Sequence, residues 1–417
     1  MRLVAFAVCA SLLATWSCSG ASSGETESAT RPATADAGWT SSPPERNGDA
    51  GLDGSSGDGP DGSLADAASG ADAATNVTTL RIRYRGRPGV LSLRGAGGPL
   101  SWTESTALTE VEPGLFEWSA PDLVGELEWK PMLGDAWSLG PNYRVIAGST
   151  LEITPRFFET RGTVERKWPT FTSALLPSTR GIWVSLPPTY VENAAARLDV
   201  LYMHDGQNLF SSASAFGGHE WQVDETLDQG AADGSIREEI VIGIENGGPD
   251  RIDELTPSVD PGRQRGGDAE QYLAMIETEI MPLVNGALRT HTGPEHTALV
   301  GSSLGGLNSV WAGVHHADAF GRIGAMSPST WWDGGMILGA VDAMSPVRPS
   351  RIYVDSGNAG DGADDFENTA TLVSHLRSQG YVDGASLEYV LQPGALHNEI
   401  YWAERLPHAL SFLLGPR

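Results

Sequence analysis

Beyond Arg156 the chain alternates short apolar runs with longer helix-like ones, and that alternation constrains its fold more than any other feature. Residues 198–203, 239–244, 297–300, 322–326, 351–354 and 387–391 read as strands, with helices at 269–285, 304–315, 367–379 and 403–414. Several of the strand segments are apolar throughout instead of alternating, the pattern of strands covered on both faces. A mostly parallel sheet flanked by helices follows, so residues 156–417 are expected to form one α/β domain.

The segment 76–155 has a different rhythm. Short alternating runs at 79–84, 90–93, 115–118, 127–130 and 151–154, broken by Gly and Pro, predict a small all-β sandwich. Trp129-Lys130, Trp137 and Gly140-Pro141-Asn142 are similar to the starch-binding and early-set immunoglobulin-like modules that precede many glycan-active domains. Trp102, Trp118, Trp129 and Trp137 therefore have two readings, core packing or a sugar-stacking face. Residues 21–75 are built mainly from Gly, Ser, Ala, Thr, Pro and Asp, with Trp39 the single aromatic. They bury too little apolar surface to offset their ordering entropy and are expected to be a disordered acidic linker.

Residues 1–20 carry Arg2, an apolar run at 3–13, then small polar residues, the layout of an export signal. Cys18-Ser19 resembles the acylated cysteine of bacterial lipoproteins, which implies an outer-membrane or cell-surface anchor. Cleavage near Ser19-Gly20-Ala21 would instead leave a periplasmic or secreted protein. No run reaches the roughly 18 apolar residues that a membrane span needs. With 53 Asp+Glu against 27 Lys+Arg and a net charge of -26, the chain lacks the basic face of a phosphate-backbone binder. Cys9 and Cys18 both fall in the leader, so neither a disulfide framework nor a cysteine zinc site is available to the folded part.

Gly301-Ser302-Ser303-Leu304-Gly305 fits G-x-S-x-G, and so does Gly20-Ala21-Ser22-Ser23-Gly24 in the linker. Context separates them. Ser303 follows a strand and precedes a helix, which places it on the strained nucleophile elbow of an α/β-hydrolase fold. A serine hydroxyl needs an adjacent base, and in this fold the acid and then the histidine follow the serine. His315 and His316 come too early, and His375 and His408 lie inside predicted helices, which leaves His397 in its post-strand loop. The acid should follow the strand at 351–354, where Asp355, Asp361, Asp364 and Asp365 are candidates. Asp361 is preferred and Asp364 is the alternative; a solvated capping loop or a calcium loop are the other readings of this cluster.

These residues resemble the esterase branch of the α/β-hydrolases, which includes enterochelin-type siderophore esterases, feruloyl esterases, S-formylglutathione hydrolases and antigen 85 mycolyltransferases. The resemblance spans about residues 171–414 through Leu201-Tyr202-Met203-His204-Asp205-Gly206-Gln207-Asn208-Leu209-Phe210, Trp221, Arg251-Ile252-Asp253-Glu254-Leu255-Thr256-Pro257, Gly301–Gly306, Ser327-Pro328 and His397-Asn398-Glu399 with Trp402. It implies an oxyanion hole from the N–H groups of Gln207 and Leu304. His204 and Asp205 hold that loop or supply a second base. Ser327, Trp331 and Trp332 line a substrate pocket or pack together, and Arg251 pairs with Glu254 or meets an anionic substrate. The loop between Gly357 and Asn368 is about one residue longer than usual, which leaves the acid open. The expectation is an exported serine esterase using Ser303, His397 and Asp361 on a small-molecule or glycan-linked ester, with no metal or organic cofactor. A siderophore esterase, an acyltransferase and a glycan-binding protein with an inactive hydrolase domain are the alternatives, and the oligomeric state is open.

Overall fold

The computed structural model describes residues 76–416. The expected leader, linker and Cys18 anchor therefore lie outside the described residues.

An eight-stranded sheet dominates the α/β part, in the order Thr163–Thr172, Thr179–Leu186, Glu239–Ile244, Asp199–His204, Thr297–Ser302, Arg322–Met326, Arg351–Ser356, Leu387–Leu391. From Glu239–Ile244 onward every neighbouring pair is parallel, while Thr179–Leu186 runs antiparallel to both of its neighbours. The central strands are buried at every position, which is why their sequences are continuously apolar. The six predicted strands are all present. The two unpredicted ones form one side of the sheet, where Glu165-Arg166-Lys167 on the exposed edge strand hides the alternation.

Helices Leu304–His315, Phe366–Ser378 and Glu399–Leu414 match their predicted positions closely. The predicted helix at 269–285 is realised as Ala269–Met275, a π turn at Ile276–Ile280, and Met281–Ala287. Pro282 has no N–H to donate and its ring crowds the preceding turn, and the wider π turn just before it relieves that clash. Among the described residues no helix is long and apolar enough to cross a membrane.

Residues 77–153 form two small sheets, one of four strands and one of five. Leu80 and Ile82 from the first meet Leu93, Leu127 and Trp129 from the second in one core. Trp129 is fully buried and Trp118 packs against that core, so neither belongs to an exposed sugar-stacking face; Trp102 and Trp137 are exposed, with ring centroids 6.1 Å apart. Glu192 ties this region to the α/β part, accepting from Tyr84 Oη at 3.0 Å and from the N–H groups of Phe157 and Phe158 at 2.8 Å.

Strand order positions the site. From Asp199–His204 the chain goes to the neighbour on one side, Glu239–Ile244, and then crosses to Thr297–Ser302 on the other. The segments that leave the carboxyl ends of Asp199–His204 and Thr297–Ser302 open a crevice at this reversal, the place where ligands bind in open α/β sheets. Gly206 allows the first of these segments to turn against the sheet. A Cβ there would meet the Gly243 carbonyl carbon and come within 2.6 Å of its oxygen and 2.7 Å of Ile244 N. Because that neighbour is backbone, Gly206→Ala is expected to cost about 1–3 kcal/mol, read as a lower midpoint of urea unfolding. Gly286→Ala, where a Cβ meets nothing within 4 Å, should be neutral or slightly stabilising.

Candidate active site

Ser303 follows a strand that is parallel-paired on both edges and precedes the helix Leu304–His315 with no intervening loop. Its backbone sits at φ 57°, ψ -122°, a conformation that costs a non-glycine residue roughly 1–3 kcal/mol. Three bonds hold it there: Ser303 N–H donates to the Met326 carbonyl, and the Ser303 carbonyl accepts from the N–H groups of Leu307 and Ser329, all at 3.0 Å. Gly301 is required for the same turn, since a Cβ would lie 2.8 Å from the Gly305 carbonyl carbon and 2.5 Å from the His204 ring.

His397 stands in the loop between the strand Leu387–Leu391 and the helix Glu399–Leu414, whose first turn is capped by the Asn398 side chain. Its Nε2 lies 2.8 Å from Ser303 Oγ. Trp402, one turn into that helix, meets the imidazole edge-on with centroids 5.0 Å apart. On its other side, His397 Nδ1 lies 2.5 Å from Asp364 Oδ1. The second carboxylate oxygen of Asp364 accepts from the Gly357 N–H and from Ser327 Oγ, the latter at 2.8 Å. Burial alone would raise the Asp364 carboxyl, but the bonds from His397, the Gly357 N–H and Ser327 outweigh it and hold it below the usual carboxylate range. A hydroxyl bonded to an imidazole that is oriented by an ionised carboxylate can be deprotonated as it attacks, with the imidazolium stabilised in place.

Asp361 does not reach His397. It opens the 3-10 turn Asp361–Asp365 with its side chain exposed, whereas Asp364 at the end of that turn is buried. Asp364 takes a left-handed φ of 54°, and its carboxylate faces inward to His397.

Ser303 and His397 open onto a cavity of about 350 Å³ lined also by Asp205, Gln207, Asn208, Phe216, Asn246, Arg251, Ser302, Asn398, Glu399 and Trp402. No described residue takes a hydrogen bond from the N–H of Gln207 or of Leu304. Leu304 is the first residue of its helix, where such donors are unused and carry partial positive charge.

Three other expectations change. Arg251 lines the cavity, but its partner is Asp205, through Nε to Oδ1 at 2.7 Å and Nη2 to Oδ2 at 2.8 Å; Glu254 pairs with buried Arg180 instead. His204 is buried, with Nδ1 3.1 Å from Tyr272 Oη. Burial pushes it down to about 4, so it is a neutral spacer behind the elbow and neither a second base nor part of the pocket wall. Ser327 and Trp332 are buried behind the site, and half-exposed Trp331 stacks under Arg263; none of the three lines the cavity. Sequence reasoning missed Asn208, Asn246 and Ser329. Asn208 stood inside the quoted segment 201–210 and Ser329 just past Ser327-Pro328, but nothing in the sequence marked Asn246, which donates to Asp205 at 2.6 Å.

The family model described as Putative esterase matches residues 173–413, more than half of the chain. The chain belongs to this esterase family. It is thus a carboxylic ester hydrolase on an α/β-hydrolase sheet. The esterase is 26% identical to the uncharacterized protein YbbA of Bacillus subtilis over 242 residues, 55% of this chain and 90% of that one. It is 28% identical to the iron(III) enterobactin esterase of Dickeya dadantii over 96 residues, 23% and 22% of the two chains. Among solved structures, a ferulic acid esterase covers 61% of this chain and 98% of its own at 21% identity, with a TM-score of 0.48.

In this esterase the Asp205 carboxylate is buried and held below the ordinary range: burial would raise it, and Arg251 reverses that. Arg251→Met leaves the carboxylate without its cation. The expected cost is about 2–3 kcal/mol in urea unfolding, at the low end for a buried pair because the Arg251 side chain keeps 26% of its surface in solvent. Adding Asp205→Asn should recover most of it.

Proposed function

We propose that this esterase works by nucleophilic catalysis at Ser303. Ser303 Oγ attacks the ester carbonyl carbon while His397 Nε2 takes the hydroxyl proton, and Asp364 stabilises the imidazolium. The N–H groups of Gln207 and Leu304 hold the oxyanion; such a pair of fixed donors gains strength in a site that excludes water. Collapse of the tetrahedral intermediate breaks the bond to the alcohol oxygen, which leaves with the proton from His397. A water then attacks the acyl-enzyme with the same base and oxyanion donors, releasing the acid and restoring Ser303. The observation that carries this reading is the unbroken line from Ser303 Oγ through His397 to Asp364 at the wall of an open cavity.

The cavity combines aromatic Phe216 and Trp402 with polar Gln207, Asn246 and Arg251, which favours a compact ester bearing an aromatic or hydrogen-bonding acyl group over a long alkyl chain. Enterobactin, for which the iron(III) enterobactin esterase relatives are named, is one candidate substrate, and a feruloyl ester is another. Residues 1–20 place the enzyme outside the cytoplasm in this reading, with Cys18 as its point of lipid attachment.

The test is hydrolysis of short p-nitrophenyl esters, a feruloyl ester and a catecholate trilactone by folded variants. Ser303→Ala and His397→Ala should each lose about 10³-fold or more in kcat, and Asp364→Ala about 10²-fold or more. Asp361→Ala should stay within twofold of the parent. Equal losses at Asp361 and Asp364, or turnover by Ser303→Ala, would contradict the assignment.

A further inference from the structure

Ser327 lies in the buried layer behind Asp364 and not in the pocket wall, and three polar contacts meet on its hydroxyl. Trp402 Nε1 donates to Ser327 Oγ at 3.0 Å, and Arg405 Nη2 donates to it at 2.9 Å. Both are donors only. A serine oxygen has two acceptor positions and one proton, so these two bonds fill its acceptor capacity and leave the proton to be given away. The acceptor in line is Asp364 Oδ2, 2.8 Å away.

We infer that Ser327 is a positioning residue whose hydroxyl, with its direction set by Trp402 and Arg405, keeps Asp364 an ionised acceptor facing His397. This rests on the proposed roles of Ser303, His397 and Asp364. Asp364 Oδ2 receives the Gly357 N–H and the Ser327 O–H, with Ser356 Oγ more distant at 3.5 Å, and Oδ1 receives the Nδ1–H of His397. A proton on the carboxyl would have to displace one of these three close donors, since the one hydroxyl able to accept it, Ser356 Oγ, is 3.5 Å away. The carboxylate is also fixed in rotation, since turning it away from His397 would break both bonds at Oδ2.

The layer behind Ser327 is itself anchored. Arg405 pairs with buried Asp355, Nε to Oδ2 at 2.9 Å, and Asp355 also accepts from the Ser327 N–H at 2.9 Å and from Tyr353 Oη at 3.1 Å. A buried cation at Arg405 can donate to Ser327 but cannot accept from it, and Asp355 compensates its charge. The other titratable groups on the acid's own turn are Asp361, which is exposed, and Asp365, which accepts from the Trp331 N–H at 3.2 Å and from Asn368 Nδ2 at 2.6 Å; Glu399 faces His397 from the following helix. Ser327 has a left-handed φ of 40°, a conformation glycine accepts freely.

The experiment compares Ser327→Ala and Ser327→Gly with the parent enzyme on a p-nitrophenyl ester, reading kcat, KM and the pH dependence of kcat/KM. Both variants remove the hydroxyl, and glycine does so without backbone strain. The expected result is a kcat about 10- to 100-fold lower with KM within about twofold. The acid limb of kcat/KM should move to higher pH, because an Asp364 with one donor fewer holds the protonated His397 more tightly. Parent-like kcat with an unmoved limb in folded variants would overturn the inference. So would a loss that tracks the thermal midpoint with no shift of the limb, or failure of both variants to fold, since either assigns Ser327 to the scaffold alone. Ser303→Ala in the same assay separates the two claims: if it still turns over, the esterase mechanism at Ser303 fails first.

Discussion

The geometry of the site depends on a single backbone conformation, the left-handed turn at Ser303. It forms where a fully buried strand must become a helix in one residue, and it is held by bonds to Met326, Leu307 and Ser329. Because the adjoining strand is paired on both edges, the strain cannot relax by moving the strand. Gly301 removes the Cβ that would strike the Gly305 backbone and the His204 ring, and the buried neutral His204 fills the space that remains. Ser303 Oγ is thereby presented to the crevice, beside helix N–H groups that favour developing negative charge.

Two buried carboxylates then divide the electrostatic work. Asp364 faces His397 and is held ionised by donors on both oxygens. Asp205, at the start of the loop that carries Gln207, is matched by Arg251 and Asn246. In the proposed mechanism the first tunes the base, and the second fixes the shape of the loop that carries Gln207. Glu399, on the cavity wall with Asp205, is pushed up by burial and by the Asp205 charge, so added negative charge is unfavourable there. The pairings explain how a chain with 53 acidic residues keeps two carboxylates ionised inside its folded part.

The sheet was legible in the sequence because its central strands are covered on both faces and carry unbroken apolar runs. The elbow was legible because G-x-S-x-G lay between a strand and a helix, and His397 because chain order left no other loop histidine. What escaped depends on contacts between distant segments. Whether Asp361 or Asp364 faces the imidazole is decided by the backbone of a 3-10 turn with left-handed residues at Gly362, Asp364 and Asp365, which composition does not encode. Arg251 pairs across 46 residues with Asp205 and not with nearby Glu254, and Ser327 finds Trp402 and Arg405 from 75 and 78 residues away. The edge strand Thr163–Thr172 was hidden by its exposure, since a half-solvated edge needs no apolar run.

The central claim is that Ser303 is the nucleophile activated through His397. Reaction with a fluorophosphonate ester followed by peptide mapping tests it most directly, because the reagent bonds covalently to the oxygen that attacks. The account predicts one phosphonyl group per chain, on Ser303, and none when His397 is replaced by alanine. Labelling at another residue, or undiminished labelling of Ser303 without His397, would contradict it.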